Sequence, residues 1–207
     1  MSKYYYHGVD DLLTMLKIID CGYIKSKRLL GYGKENDFNG LDYISLCKKE
    51  ADFMYEDGKT NSYDNYIKNS FCFIISDSID AKKCNYIDIS KCSSEQMKKI
   101  SGNQDIRYSD MFDEWQVKNS ISITDVVGIG LPLNYLNKMK NYYSSLDFQL
   151  ERIYLLASML NIDIVNTDED SFIEKFENSK INNNGVGFGD INSISNNRKT
   201  KKKTYRK

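Results

Sequence analysis

No apolar run in this chain approaches the roughly 20 residues needed to cross a bilayer as a helix. The longest, Val126 to Leu133, is interrupted by glycine and ends around Pro132, the only proline. A soluble protein is therefore expected. The first residues hold three tyrosines, a histidine and two aspartates where a secretory leader needs an apolar centre, so export by that route is not expected. Cys21, Cys47, Cys72, Cys84 and Cys92 are odd in number and lack CxxC spacing, which reads as reduced thiols in a cytoplasmic protein. A single histidine leaves a His/Cys metal site dependent on cysteines from distant segments, and none is expected. Gly58-Lys59-Thr60 ends like a phosphate loop, but Phe53 stands where that loop begins with glycine. Gly31-Tyr-Gly33 and Gly185-Val-Gly-Phe-Gly189 do not lie between a strand and a helix, as a dinucleotide fold requires. A GxSxG nucleophile elbow and internal repeats are also missing.

What is present suffices for a core: 207 residues, 41% of them hydrophobic and 28% charged, exclude a disordered chain and fit one domain with a small helical addition. The net charge of zero hides an asymmetry. Seven basic residues follow from Arg198 with no acid among them, leaving 22 basic against 29 acidic residues in the body, a formal −7. A body of that sign is a poor general binder of duplex DNA, whose sequence-independent affinity comes from phosphate neutralisation. The basic tail is either a contact for nucleic acid or an acidic surface, or a solvated end that keeps the chain soluble.

The pattern predicts an α+β fold. Tyr4-Tyr5-Tyr6 has strand character, and His7-Gly8 sits where that strand turns toward a helix begun by Asp10 and Asp11, faced by Leu12, Leu13, Leu16 and Ile19, and stopped by Gly22. Residues 26–39 read as a long loop, 41–47 as a strand and 48–55 as a helix. Phe71 to Ile75, apolar on both faces, reads as a central strand. Further strands are expected at 86–89, 114–118 and 126–131, with a Ser-capped helix at 94–100. After Pro132, apolar residues from Leu133 to Leu156 recur at helical intervals, giving one long helix or two short ones with a core-facing stripe. A strand at 162–165 and a helix at 168–176 complete the pattern, and disorder is expected beyond 178.

Three segments each join a polar group to a predicted strand: Tyr6-His7-Gly8-Val9, Gly40-Leu41-Asp42-Tyr43-Ile44-Ser45 and Asp113-Glu114-Trp115-Gln116-Val117. In their order and spacing over residues 4 to 131 the chain resembles the ADP-ribosyltransferase superfamily. The similarity is to the His-Tyr-Glu branch that includes diphtheria-toxin-like enzymes and DNA-targeting bacterial toxins. His7-Gly8 resembles the first motif, Tyr43 or Ser45 the second, and Glu114 followed by alternating apolar residues the third.

The resemblance implies a split β-sheet core over 1–133; outside it, the pattern and composition give a helical C-terminal extension over 134–178 and a disordered basic tail over 179–207. It implies NAD as donor, held by His7, Gly8, Arg28, Tyr43 and Ser45, with Glu114, His7 and Tyr43 as the catalytic set. The reaction implied is transfer of ADP-ribose, one unit at a time, to a protein or nucleic acid. Arg107, Tyr108 and Phe112, on the loop before the third motif, would recognise that acceptor. The residue types suit this chemistry, since imidazole hydrogen-bonds ribose hydroxyls, a phenol ring stacks on nicotinamide, and a carboxylate stabilises the positive charge that develops as the glycosidic bond breaks. Bacterial and phage relatives commonly serve as toxins. Two alternatives share the fold, an RNA 2′-phosphotransferase-like enzyme and an inactive binding protein.

Overall fold

The computed structural model describes residues 3–31, 42–49, 52–54, 60–62, 67–83, 85–86, 106–107 and 114–182. The predicted helix at 94–100 and most of the strand at 86–89 lie outside them. The elements in order are β1 (Tyr4–Val9), α1 (Leu12–Cys21), β2 (Tyr23–Lys25), β3 (Tyr43–Cys47), β4 (Asp52–Met54), β5 (Thr60–Ser62), β6 (Phe71–Ser76), β7 (Lys82–Lys83), β8 (Asn85–Tyr86), β9 (Ile106–Arg107), β10 (Glu114–Lys118), β11 (Ser120–Ser122), β12 (Val126–Leu131), α2 (Leu133–Met139), α3 (Leu146–Leu160), β13 (Asp163–Asn166) and α4 (Phe172–Asn182).

A mostly antiparallel sheet of seven strands, ordered β13-β12-β6-β1-β3-β10-β7, forms the frame. β6 lies between β12 and β1, and its five residues from Phe71 to Ile75 are all buried, as the unbroken apolar run predicts. Its two faces feed two cores. Phe71, Phe73 and Ile75 join Tyr5, Ile44, Leu46, Ile129 and Leu131 beneath α1, α2 and α3. Cys72 and Ile74 join Tyr6 and Cys47 beneath Phe172, Ile173 and Phe176 of α4. Helices therefore cover both sides of the sheet.

Local signals explain where the helices begin and end. The Asp11 carboxylate accepts the Thr14 N–H at 2.7 Å, satisfying an otherwise unpaired first-turn amide. Gly22, at φ 76°, takes the left-handed conformation that closes α1 with its N–H donating to the Ile18 and Ile19 carbonyls. The stripe after Pro132 divides into α2 and α3, and Leu146, Leu150, Ile153 and Ala157 turn inward as a core face.

Leu13, expected on the core face of α1, is exposed, and Met15 is buried in that face instead; two element assignments also fail. Residues 52–54 are strand β4, paired antiparallel with β5, rather than part of a helix. The Asp57-Gly58 dipeptide between the two runs is a hairpin signal that outweighs the weak helical pattern. The last helix begins at Phe172, not Asp168, and continues to Asn182, past the expected onset of disorder. Its start is delayed because the Asn166 side chain accepts the Asp168 N–H in a local turn. Its end is held by Lys180, which pairs with Asp163 at 2.7 Å and lies over the Phe176 ring.

β13 runs parallel to β12, so the C-terminal part adds a strand to the main sheet as well as helices to its faces. Gly130 of β12 is required by this packing. A Cβ there would overlap the Cys72 sulfur and lie 2.7 Å from Thr167 Cγ2. Cys21 and Cys72 are free thiols, and among the described residues no helix is long and apolar enough to cross a membrane.

Candidate functional site

The sheet makes neighbours of the strands bearing the three motifs: β1 carries His7, β3 carries Tyr43 and Ser45, and β10 carries Glu114. β3 and β10 pair over five residues, with Gln116 opposite Ser45 and Glu114 opposite Cys47. Because directly opposed residues share a face, Tyr43, Ser45, Glu114 and Gln116 all lie on the α4 side of the sheet. There the Ser45 hydroxyl donates to Glu114 Oε1 at 2.5 Å, a short contact of the charge-assisted kind. Glu114 is 3% exposed and Gln116 6%, so a carboxylate and a carboxamide are buried side by side.

β1 and β3 behave differently from their other pairings. β1 matches β6 over six residues, yet meets β3 at one register pair only, Tyr6 with Cys47. Continued pairing would set Gly8 opposite Ser45. Instead the strands part, and the Ser45 carbonyl accepts a hydrogen bond from His7 Nδ1 at 2.9 Å. A carbonyl has no proton to give, so Nδ1 carries the hydrogen. Burial lowers the imidazole pKa below its ordinary 6.5, opposed by the Ser45 hydrogen bond and the Asp10 charge. The ring is therefore neutral at pH 7, with Nε2 as an acceptor. Gly8, one residue further along β1, is exposed.

Ser45 thus meets Glu114 through its hydroxyl and His7 through its carbonyl. Alternation along β1 sets the His7 side chain out on the face of Tyr5, Val9 and its partner Phe73, opposite to Glu114. The imidazole and the carboxylate approach Ser45 from different sides of the seam rather than sharing one wall. Tyr43 lies two residues from Ser45 on the same face, opposite Lys118. Ser45, rather than Tyr43, makes the described contact with the acid.

Arg28 forms an ion pair with Asp42, next to Tyr43 at the start of β3. Arg107 belongs to β9, but its side chain lies outside the described residues, as do Tyr108 and Phe112. Gln116 escaped the sequence reading because a polar residue alternating with Trp115 and Val117 looks like the wet face of a strand. A separate groove of about 260 Å³ opens between the start of α1 and helices α2 and α3, lined by Asp10, Asp11, Phe71, Tyr135 and Tyr143 among others. It includes none of His7, Tyr43, Ser45 or Glu114. The seam remains the better candidate, because Ser45 there links a carboxylate on one face, through its hydroxyl, to an imidazole on the other, through its carbonyl. Among the described residues, no three His, Cys, Asp or Glu side chains gather as a metal set. Comparison with protein-family models, curated proteins and solved structures returns no match.

Proposed function

We propose that this chain is an NAD-consuming ADP-ribosyltransferase, of split-sheet architecture and working in the cytoplasm, that transfers one ADP-ribose unit to a macromolecular acceptor. The observation that carries the reading is the bridging of His7 and Glu114 by Ser45, across adjacent strands, at the point where β1 leaves β3. Gly8 offers exposed backbone at that opening, and Tyr43 supplies an aromatic ring beside it.

In this reading NAD is the donor. The bond between the ribose anomeric carbon and the nicotinamide nitrogen breaks, and nicotinamide leaves with the electron pair. The sugar gains positive charge, which the Glu114 carboxylate stabilises while accepting a hydrogen bond from a ribose hydroxyl. Ser45 fixes one carboxylate oxygen by donating to Oε1. Neutral His7, held by the Ser45 carbonyl, offers Nε2 to another ribose hydroxyl. The acceptor nucleophile then attacks the anomeric carbon and loses its proton.

The ion pair between Arg28 and Asp42 weakens the 2′-phosphotransferase alternative, which relies on several cleft arginines. Residues 1 to 131 contain only Arg28 and Arg107. Nicotinamide release from NAD tests the proposal. Glu114→Gln should cut turnover by about 10²-fold or more while leaving NAD affinity largely intact, because the lost interaction strengthens as charge develops. An unchanged rate would remove Glu114 from the mechanism, and no release by the unmodified chain would favour a binding protein.

A further inference from the structure

The groove at the start of α1 lies on the imidazole side of the sheet. Phe71 lines it, and Phe71 pairs with Val9, which shares a face with His7. Its volume of about 260 Å³ is below the roughly 300–1,000 Å³ of pockets that enclose a whole small ligand, and suits a single side chain. Asp10 and Asp11 line it from the start of α1, and Tyr135 and Tyr143 from α2 and the turn that follows. Among its described lining residues there is no lysine, arginine or histidine. Lys140 and Arg152, the ion-paired cations of this helical layer, are taken by Asp147 and Asp20, and none of the four lines the groove.

The two carboxylates differ. Asp11 is engaged by its own helix, accepting the Thr14 N–H at 2.7 Å and the Thr14 hydroxyl at 3.2 Å. Asp10 is exposed and forms no hydrogen bond or ion pair with the described residues. Ser145, of a type favoured for capping, begins α3 in helical backbone (φ −80°, ψ −11°) without a capping bond, and lines the groove instead.

An unengaged carboxylate beside phenol rings is complementary to a positive group and repels a phosphate. A guanidinium suits it better than an ammonium. It is planar and weakly hydrated, so it lies flat on a tyrosine ring while its edge donates two hydrogen bonds to a carboxylate. The surroundings point to a protein as its carrier. Tyr142 and Phe148, next in sequence to the lining residues Tyr143 and Gln149, are 78% and 68% exposed, and Leu13, which lines the groove, is 51% exposed. Exposed aromatic and apolar groups around a pocket for an arginine have the composition of a protein interface centre.

We propose that this groove receives an arginine side chain of a partner protein, with the guanidinium held at Asp10 against Tyr135 and Tyr143. His7, Tyr43, Ser45 and Glu114 contribute nothing to it, so the docking does not rest on the reading of Glu114 given above.

The tripeptide acetyl-Gly-Arg-Gly-amide and its lysine and citrulline counterparts are titrated into the full chain and followed by proton NMR, on the peptide and on the imidazole of His7, the only histidine. The arginine peptide should saturate. The lysine peptide should bind about threefold more weakly or worse. The citrulline peptide, which keeps the shape without the charge, should bind on the order of tenfold more weakly. Burial lowers the His7 pKa, and the Asp10 charge, after the Ser45 hydrogen bond, opposes that shift, so a guanidinium at Asp10 should move the His7 midpoint further down. Asp10→Asn should weaken arginine binding on the order of tenfold, and Tyr143→Leu about threefold.

Equal affinity for arginine and citrulline, lysine binding as tight as arginine, absence of saturation, or an unmoved His7 midpoint at saturation would overturn the proposal. Adenosine monophosphate bound more tightly than the arginine peptide, with the same loss in Asp10→Asn, would reassign the groove to a nucleotide. A tenfold gain in peptide affinity on changing the seven tail cations from Arg198 onward to glutamine would reassign it to the chain's own tail. The preference of the unmodified chain for arginine over citrulline decides the matter even where a variant unfolds. Peptide binding without nicotinamide release would sink the enzymatic reading alone, and release without peptide binding would sink this one.

Discussion

Replacing Ser45 by alanine deletes the hydroxyl that reaches Glu114 Oε1 at 2.5 Å while leaving the carboxylate buried. A hydrogen bond to a charged group contributes about 1.5–3 kcal/mol, a neutral one about 0.5–1.5 kcal/mol. Ser45→Ala should therefore destabilise the protein by about 2 kcal/mol, lowering Tm by roughly 4–8 °C for a chain of this size. With Glu114→Gln already present, the side-chain carbonyl can still accept, but without the charge. The same Ser45→Ala change should then cost about 1 kcal/mol, leaving a coupling of about 1 kcal/mol in the double-mutant cycle. Urea unfolding of the wild type, both single variants and the double variant, followed by circular dichroism, gives this coupling directly, with constant m values as the check on two-state behaviour. Equal costs in both backgrounds, within a few tenths of a kcal/mol, would mean that the hydroxyl and carboxylate do not act as a pair. The seam would then lose its central contact.

His7 is the only histidine, so a single imidazole proton resonance follows its titration. The midpoint should fall below 6.5 in the folded protein, and a midpoint at or above that value would refute the half-buried, neutral imidazole. The linked effect on stability has a fixed sign: the contribution is complete above 6.5, where both states are neutral, and is lost as pH falls below 6.5, because the unfolded chain takes up a proton that the folded chain resists. His7→Gln should remove that part of the acid dependence measured by unfolding. Gly130→Ala should destabilise by about 1–3 kcal/mol, since its methyl meets Cys72 and Thr167, with thermal unfolding as the measure. A neutral result would show that β12 and the turn at Thr167 can separate without cost.

The local devices were legible because each acts within a few residues. Asp11 and Gly22 bound α1 as their chemistry predicts, and the apolar run of β6 marks a strand covered on both faces. The adjacency of β1, β3 and β10 was not legible from pattern alone, because strand order depends on contacts across 69 positions, such as Ser45 with Glu114. Tyr43 and Ser45 could not be separated by sequence, since a period of two puts both on one face, and only the register with β10 sets Ser45 within reach of the acid. Lys83 hid in a strand too short to show a period, and its meeting with Lys48 at Trp115 depends on two different strand pairings.

These failures share a physical cause. Binary patterning assigns polar residues to water, and it cannot foresee a buried Glu114 and Gln116 beside a hydroxyl. Burying such groups costs free energy unless they are paired, so a fold optimised for stability alone would place apolar side chains there. The cluster coincides with the place where β1 and β3 stop pairing, and a second departure from pattern, two lysines on one indole, occupies the reverse of the same strand. Consistency between pattern and structure yields first where a site demands something else. Both departures fall on β10, at consecutive residues that face opposite sides of the sheet. A substitution that shifts the register of β10 by one residue would exchange their faces, carry Glu114 away from Ser45 and abolish the proposed activity.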